Sequence, residues 1–132
     1  MPITIRQDDD DPNLLWQIFQ GQWTVDEYVQ SVDEINKAIK AHPKTVDVIA
    51  DMTLSGSPPA KLLSVAGHLE RATPDNRGTV VVVGSGLFVK TLLRVVESLT
   101  PRFSKDLYTA DTVDDARSII ADARAKADKF AE

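Results

Sequence analysis

The sequence predicts an α/β fold in which helices pack on a mixed, largely parallel sheet of about five strands, in the order ββαβαβαβα. Apolar and polar residues alternate at 3–6, and the mainly apolar segment at 14–19 follows a turn-forming cluster, as expected for the two strands of a hairpin. Residues 79–83 form a continuous β-branched run, which is typical of a strand buried on both faces in a parallel sheet. Further segments place apolar residues at helical spacing between the later strands. Strands that alternate with helices should run parallel, so only the first strand is expected to be antiparallel, at an edge.

Composition predicts an ordinary folded domain. A chain of 132 residues that is 42% hydrophobic and 27% charged should form one domain over residues 1–132. The absence of cysteine excludes disulfides and thiolate metal sites. No apolar leader and no long apolar segment is visible, so we expect a cytoplasmic protein without membrane insertion. The net charge of −5 disfavours nonspecific binding to nucleic acid.

The first third of the chain carries a hairpin turn and a helix start. The four aspartates at 8–11 lack the spacing of a calcium loop and are expected to form a solvated turn between the first two strands. Thr24 and Glu27 have the spacing of a capping box, in which each residue satisfies a backbone donor of the other. A helix is therefore expected from this point to about His42.

The middle of the chain is predicted as a strand at 46–52, a loop at 53–57 and a helix that begins near Pro58. A turn at 74–78 should end this helix. The strand at 79–83 then follows, and its apolar character predicts that it is the centre of the sheet.

The last third is predicted as a helix at 87–99, a short strand at 105–110 and a terminal helix capped by Thr112 and Asp115. The polar positions of the helix at 87–99 form only a narrow stripe, so one sheet face cannot cover all of its apolar surface. The remainder is expected either to pack against the terminal helix or to form the contact of a homodimer.

No catalytic or metal-binding pattern is present. Gly84, Ser85 and Gly86 follow a buried strand and precede a helix, which is the context of an anion site, but they match neither a dinucleotide fingerprint nor a nucleophile elbow. His42 and His68 have no partner at metal-ligand spacing. We therefore expect a protein that is not an enzyme and that carries no metal or cofactor.

The loop at 55–57 offers two hydroxyl groups. A phosphoryl group on Ser55 or Ser57 would be stabilised by the amino end of the following helix. A serine that caps this helix would account for the same residues without any modification.

The order of elements, the segment Val48-Ile49-Ala50-Asp51-Met52-Thr53 and the serine loop before a helix together resemble the STAS family. This family includes domains of sulfate transporters, anti-sigma factor antagonists and related stand-alone bacterial proteins. The resemblance implies a non-enzymatic domain in which Asp51 matches the acidic residue that ends the strand. Ser57 is the nearest match to the phosphoacceptor, although the family loop reads close to Asp-Ser-Ser-Gly and the loop here is Ser-Gly-Ser-Pro-Pro.

Two functions are expected from this reading. The first is a regulatory or protein-interaction domain that uses the loop from Ser55 to Lys61, because open α/β sheets present their sites where strands end. The alternative is a binder of a small apolar or anionic ligand at the same edge. A deep apolar pocket would favour a ligand, and a flat surface a protein partner. The expected loop residues are Asp51, Thr53, Gly56, Lys61, Gly84, Ser85 and Gly86, with Ser57 and Ser55 as possible phosphoacceptors.

Overall fold

Five strands within residues 2–131, the part of the chain that the computed structural model describes, form one sheet in the order β1-β2-β3-β4-β5. The strands are β1 (Ile3–Gln7), β2 (Leu14–Gly21), β3 (Val46–Ser55), β4 (Arg77–Val83) and β5 (Leu107–Ala110). β1 pairs antiparallel with β2, and the other neighbours pair in parallel. The predicted fold class, the mixed sheet and the edge position of the first strand are confirmed.

Two of the α-helices begin at local capping signals. The helices are α1 (Val25–Ala41), α2 (Ala66–Ala72), α3 (Leu87–Leu99) and α4 (Val113–Ala131), with a short 3-10 helix at Leu62–Val65. Thr24 Oγ1 accepts a hydrogen bond from the Glu27 backbone N–H at 3.1 Å, and Glu27 Oε1 accepts one from the Thr24 N–H at 3.0 Å. Thr112 Oγ1 accepts from the Asp115 N–H in the same way. None of the helices in residues 2–131 is long and apolar enough to cross a bilayer.

The sheet lies between two helical layers. Successive strand residues point to opposite faces, so Ile49 and Val81 pack against α4 while Ala50 and Val82 pack on the side of α1 and α3. The helices α1, α2 and α3 form one layer, and α4 alone forms the other. Both sheet faces are therefore buried, as the β-branched run in β4 predicted.

The prediction that residues 79–83 form the centre of the sheet was wrong. β3 is the central strand, and β4 lies between it and the four-residue edge strand β5. Val81 and Val83 are nevertheless 0% exposed. Their burial comes from the helical layers above and below the sheet, so it does not report the position of a strand in the sheet order.

The helix expected to begin near Pro58 was also placed wrongly. β3 continues to Ser55, and the first helical turn is the 3-10 helix at Leu62–Val65. A residue that precedes proline is driven out of the helical region. Because Pro58 itself precedes Pro59, neither Ser57 nor Pro58 can start a helix, and the chain turns first.

The outer face of α3 is not covered within the described residues. Leu87 is 82% exposed, Phe88 58% and Leu99 61%. One of the two predicted alternatives was that the terminal helix packs against this surface. Instead, α4 packs on the opposite face of the sheet. A homodimer formed through the outer face of α3 stays a prediction.

The acidic loop between β1 and β2 is only in part the solvated turn that was expected, since Asp9 and Asp10 are exposed but Asp8 is not. Asp8 is only 7% exposed. Its carboxylate accepts hydrogen bonds from Trp16 Nε1 at 2.8 Å and from Arg117 Nη2 at 2.7 Å. It also accepts from the backbone N–H groups of Asp10 and Asp11. The arginine comes from α4, so the sequence of the loop alone could not show this partner.

A second arginine of α4 completes the same arrangement. Arg124 donates from Nη1 to Asp11 at 2.6 Å and from Nε to Asp47 at 2.7 Å. Asp47 is 4% exposed and also accepts from the Thr79 N–H. These contacts fasten α4 to the hairpin and to the start of β3. We refer to Asp8, Asp11, Asp47, Arg117 and Arg124 as the hairpin–α4 ion-pair cluster.

Candidate functional site

An apolar cavity of about 120 Å³ lies between the sheet and the layer formed by α1, α2 and α3. Its walls come from all three helices and from β2, β3, β4 and β5. Representative lining residues are Phe19, Val32, Ala50, Val82, Leu93 and Val96. Protein interiors hold few voids larger than a water molecule. A cavity of this size, lined mainly by aliphatic and aromatic groups, is therefore the strongest candidate for a binding site.

Small side chains and a short helix leave this space open. Ala50 stands on the central strand and presents only a methyl group to the cavity. Ala66 does the same from the first position of α2, which is only seven residues long. Larger residues at either position would fill part of the cavity.

Two buried amide side chains in the wall have hydrogen-bond partners. Gln17 Nε2 donates to Ser31 Oγ at 2.9 Å and links β2 to α1. Asn36 Nδ2 donates to the Ala72 carbonyl at 3.1 Å and links α1 to the end of α2. These bonds position the walls of the cavity and account for both amide donors.

Among the residues that the structure describes, Arg77 is the charged side chain that lines the cavity. Its Nη2 donates to the Lys105 carbonyl at 2.6 Å, and its guanidinium lies 5.5 Å from the ring centroid of Phe103. Its Nε is buried and has no hydrogen-bond partner among the described residues. Burial lowers the pKa of Arg77, but an arginine keeps its charge in proteins at neutral pH.

An irregularity in the sheet places Arg77 on this face. Val46 pairs with Arg77, whereas Val48 pairs with Val80, so β4 has one more residue than β3 in this interval. Strand residues otherwise alternate between faces. The additional residue lets Arg77 join Val80 and Val82 in lining the cavity.

Tyr28 contributes an aromatic wall with a hydroxyl group. Its ring centroid lies 6.2 Å from that of Phe19 and 5.7 Å from that of Trp23. Burial raises the pKa of Tyr28 to about 12. The phenol is therefore neutral at physiological pH and is able to donate a hydrogen bond.

The structure brings together two of the predicted loops at the edge of the sheet. Gly84 lies against Thr53, since a side chain added at Gly84 would come within 3.0 Å of the Thr53 Cα. Asp51 accepts hydrogen bonds from the N–H and the hydroxyl of Thr53. Gly86 is the N-cap residue of α3, and Ser85 Oγ is buried without a partner among the described residues.

The two candidate phosphoacceptors differ in their surroundings. Ser55 Oγ accepts a hydrogen bond from Trp23 Nε1 at 2.8 Å and donates to the Gly56 carbonyl. Ser57 is exposed and precedes the two prolines. Lys61 is also exposed and is the N-cap residue of the 3-10 helix. None of the residues predicted for this loop edge lines the apolar cavity.

The described residues bring no three His, Asp or Glu side chains together in a way that could hold a metal ion. His68 Nε2 lies 2.7 Å from Asp33 Oδ1, and both side chains are exposed. This pair links α2 to α1 at the surface.

One solved structure similar to this chain is the crystal structure of an uncharacterized protein of the DUF3478 family from Shewanella loihica PV-4, which has a SpoIIAA-like fold. The alignment covers 88% of this chain and 90% of that chain, with 19% sequence identity and a TM-score of 0.60. This chain has a SpoIIAA-like fold. The STAS-like fold predicted from the sequence is thereby confirmed. No family model and no curated protein matches the sequence.

Within this SpoIIAA-like fold, the residues that sequence reasoning missed are those of the cavity. Arg77 falls in the turn predicted at 74–78, and Tyr28 lies within the helix predicted to run to about His42. One signal was available for Arg77, because it stands two residues before the β-branched run at 79–83. A long cation so close to a strand buried on both faces must either reach solvent or enter the interior.

Proposed function

We propose that this chain is a non-catalytic binding domain that takes a small apolar molecule into the cavity between the sheet and α1, α2 and α3. The observation that carries the proposal is the apolar lining of a cavity of about 120 Å³. An engineered apolar cavity of roughly 150 Å³ binds benzene. A molecule with a body the size of one ring or a short alkyl chain would therefore fit. The sequence-based alternative also expected a small ligand, but at the loop edge of the sheet.

Filling the cavity should remove binding. We expect wild-type protein to bind toluene and Ala50→Leu to bind it at least about tenfold more weakly, because the added side chain occupies the space beside Val82. The measurement is a titration followed by isothermal calorimetry and by amide chemical shifts. Ala38→Leu on the exposed face of α1 is the matched control and should bind like the wild type. Absence of binding to the wild type, or equal binding to Ala50→Leu, would contradict the proposal.

A second candidate function is regulatory protein interaction through the loop from Ser55 to Lys61. It is favoured by the exposure of Ser57 and by exposed apolar residues on either side of it, since Leu54 is 65% and Leu63 41% exposed. Exposed apolar side chains beside a modifiable hydroxyl suit a partner surface that phosphorylation could switch off. The SpoIIAA-like fold is consistent with this role.

The two serines should respond differently to a negative charge. Ser57→Glu is expected to leave the melting temperature within about 2 °C of the wild type. Substitutions at exposed positions that make no buried hydrogen bonds change stability little. Ser55→Glu should lower the melting temperature clearly, because it breaks the hydrogen bond from Trp23 Nε1. Thermal unfolding followed by circular dichroism measures both. Phosphopeptide mapping of protein from its native cells should then find the modification on Ser57, and a phosphate on Ser55 alone would count against this assignment.

A further inference from the structure

The charge of Arg77 is not paired within the described residues. No carboxylate of residues 2–129 lies within 4.0 Å of its guanidinium as an ion-pair partner, and its Nε lacks any acceptor. Arg77 as a whole is half-buried, but its Nε–H is enclosed, and a buried charged donor without an acceptor is costly. The Nε–H of Arg77 therefore lacks an acceptor within the described residues, and a bound molecule could supply one.

The nearby acidic residues do not fill this role. Glu70 and Asp106 interact with Arg77 only through their charge. Both carboxylate oxygens of Glu70 accept from the Arg102 N–H, and one also accepts from the Phe103 N–H, at 2.9–3.1 Å. The carboxylate of Glu70 therefore accepts hydrogen bonds from the loop that follows α3, and it is not the ion-pair partner of Arg77.

The position of Arg77 within the cavity gives a bound molecule a direction. Arg77 is the first residue of β4, and Val80 and Val82 follow it along the same wall. Residues 77 and 82 are separated by roughly 15 Å of strand. A ligand with an acidic group beside Arg77 would lay its apolar body along Val80 and Val82 toward Met52.

We propose that the ligand of this cavity is a small apolar carboxylate whose carboxylate group pairs with Arg77; the inference rests on the proposed function. The planar guanidinium matches a carboxylate through two parallel N–H donors, and Nε is free to be one of them. A phosphate group would bring more negative charge into an apolar cavity that offers one cation. The oxygen of a neutral ligand could accept from Nε, but it would leave the charge of the guanidinium unpaired.

The test compares pentanoate with pentan-1-ol, which have the same number of carbon atoms and short alkyl chains, at pH 7.5. We expect the wild type to bind pentanoate at least about tenfold more tightly than pentan-1-ol, the effect of a charge-assisted pair. Arg77→Met should lose this preference while it keeps its affinity for pentan-1-ol, which also shows that the variant is folded. Arg71→Met, at an exposed arginine of α2, is the matched control and should keep the preference.

A second measurement monitors the Nε–H group of Arg77 directly. The Nε–Hε resonance of Arg77 in a nitrogen-15 spectrum should shift further on addition of pentanoate than on addition of pentan-1-ol. This measurement uses wild-type protein, so it decides the matter even if Arg77→Met fails to fold. In that event Arg77→Lys, which keeps the charge but lacks the planar pair of donors, should bind pentanoate more weakly than the wild type does.

The outcomes separate the two proposals. If pentan-1-ol binds as tightly as pentanoate, or if Arg77→Met keeps the preference for pentanoate, the carboxylate inference is overturned and the apolar cavity stands as a binding site. If neither compound binds and toluene does not bind either, the proposed function fails and the inference fails with it.

Discussion

Val81→Asp is expected to abolish folding. Val81 is 0% exposed, pairs with Ile49 on one side and Tyr108 on the other, and packs against α4. An unpaired carboxylate at this position would cost several kcal/mol, which is comparable with the roughly 5–15 kcal/mol that stabilise a whole domain. The expected result is insoluble protein, or soluble protein without a cooperative thermal transition.

The matched control is Thr109→Asp, which introduces the same charge at an exposed position of the neighbouring strand β5. It should remain folded, with a melting temperature near that of the wild type. A soluble Val81→Asp protein with an unchanged melting temperature would show that α4 does not enclose this strand.

Asp8→Ala is expected to destabilise the protein by about 3 kcal/mol, because it leaves the buried Trp16 Nε1 without an acceptor and removes the partner of Arg117. For a chain of this size, the melting temperature should fall by about 10 °C. Asp9→Ala is the control, since the side chain of Asp9 is 90% exposed one residue away. Equal melting temperatures for the two variants would contradict the structural role of Asp8.

The effect of Asp8 should depend on pH in a defined direction. Hydrogen bonds from Arg117 and Trp16 lower the pKa of Asp8 from its ordinary value of 3.8 to about 2. A group with a lowered pKa in the folded state stabilises the fold above its unfolded value, and this stabilisation is lost as the pH falls through the folded value. The difference in unfolding free energy between the wild type and Asp8→Ala should therefore be full at pH 6 and shrink between about pH 4 and pH 2. Denaturant titrations across this range measure it, and a difference that grows as the pH falls would contradict the assignment.

Features that depend on neighbouring residues were predictable from the sequence. The capping box of Thr24 and Glu27 involves residues three positions apart, and its two hydrogen bonds form as expected. The bounds predicted for the helix at 87–99 agree with α3, because Gly86 and Thr100 stop the helical pattern at both ends. The hairpin followed from the alternation at 3–6, the apolar segment at 14–19 and the turn-forming loop between them.

Features that depend on distant contacts were not predictable in the same way. The order of strands in the sheet depends on which segments pair, and the apolar run at 79–83 carries no information on this point. Burial on both faces was predicted correctly for Val81, but the central strand is β3. Likewise, the apolar surplus of α3 did not reveal that α4 lies on the other side of the sheet.

The cavity is the clearest case of a feature outside the reach of pattern reasoning. Its lining residues come from three α-helices, the 3-10 helix, four strands and the loop before β5, and each of them is unremarkable in its own segment. Ala50 is one apolar residue of a strand, and only the packing around it shows that its small size leaves a space. The orientation of Arg77 depends on a shift in register between β3 and β4, and no local sequence pattern predicts this shift.

The hairpin–α4 ion-pair cluster has a consequence for how the protein folds during synthesis. Asp8 and Arg117 are 109 residues apart in sequence, and Asp11 and Arg124 are 113 apart. The ribosome therefore releases the aspartates long before their arginines exist. Until α4 has emerged, the carboxylates lack their partners, and the sheet face that carries Ile49 and Val81 has no cover. Uncovered strands are prone to aggregate, so the nascent chain is most vulnerable just before α4 is made, and docking of this helix closes the fold.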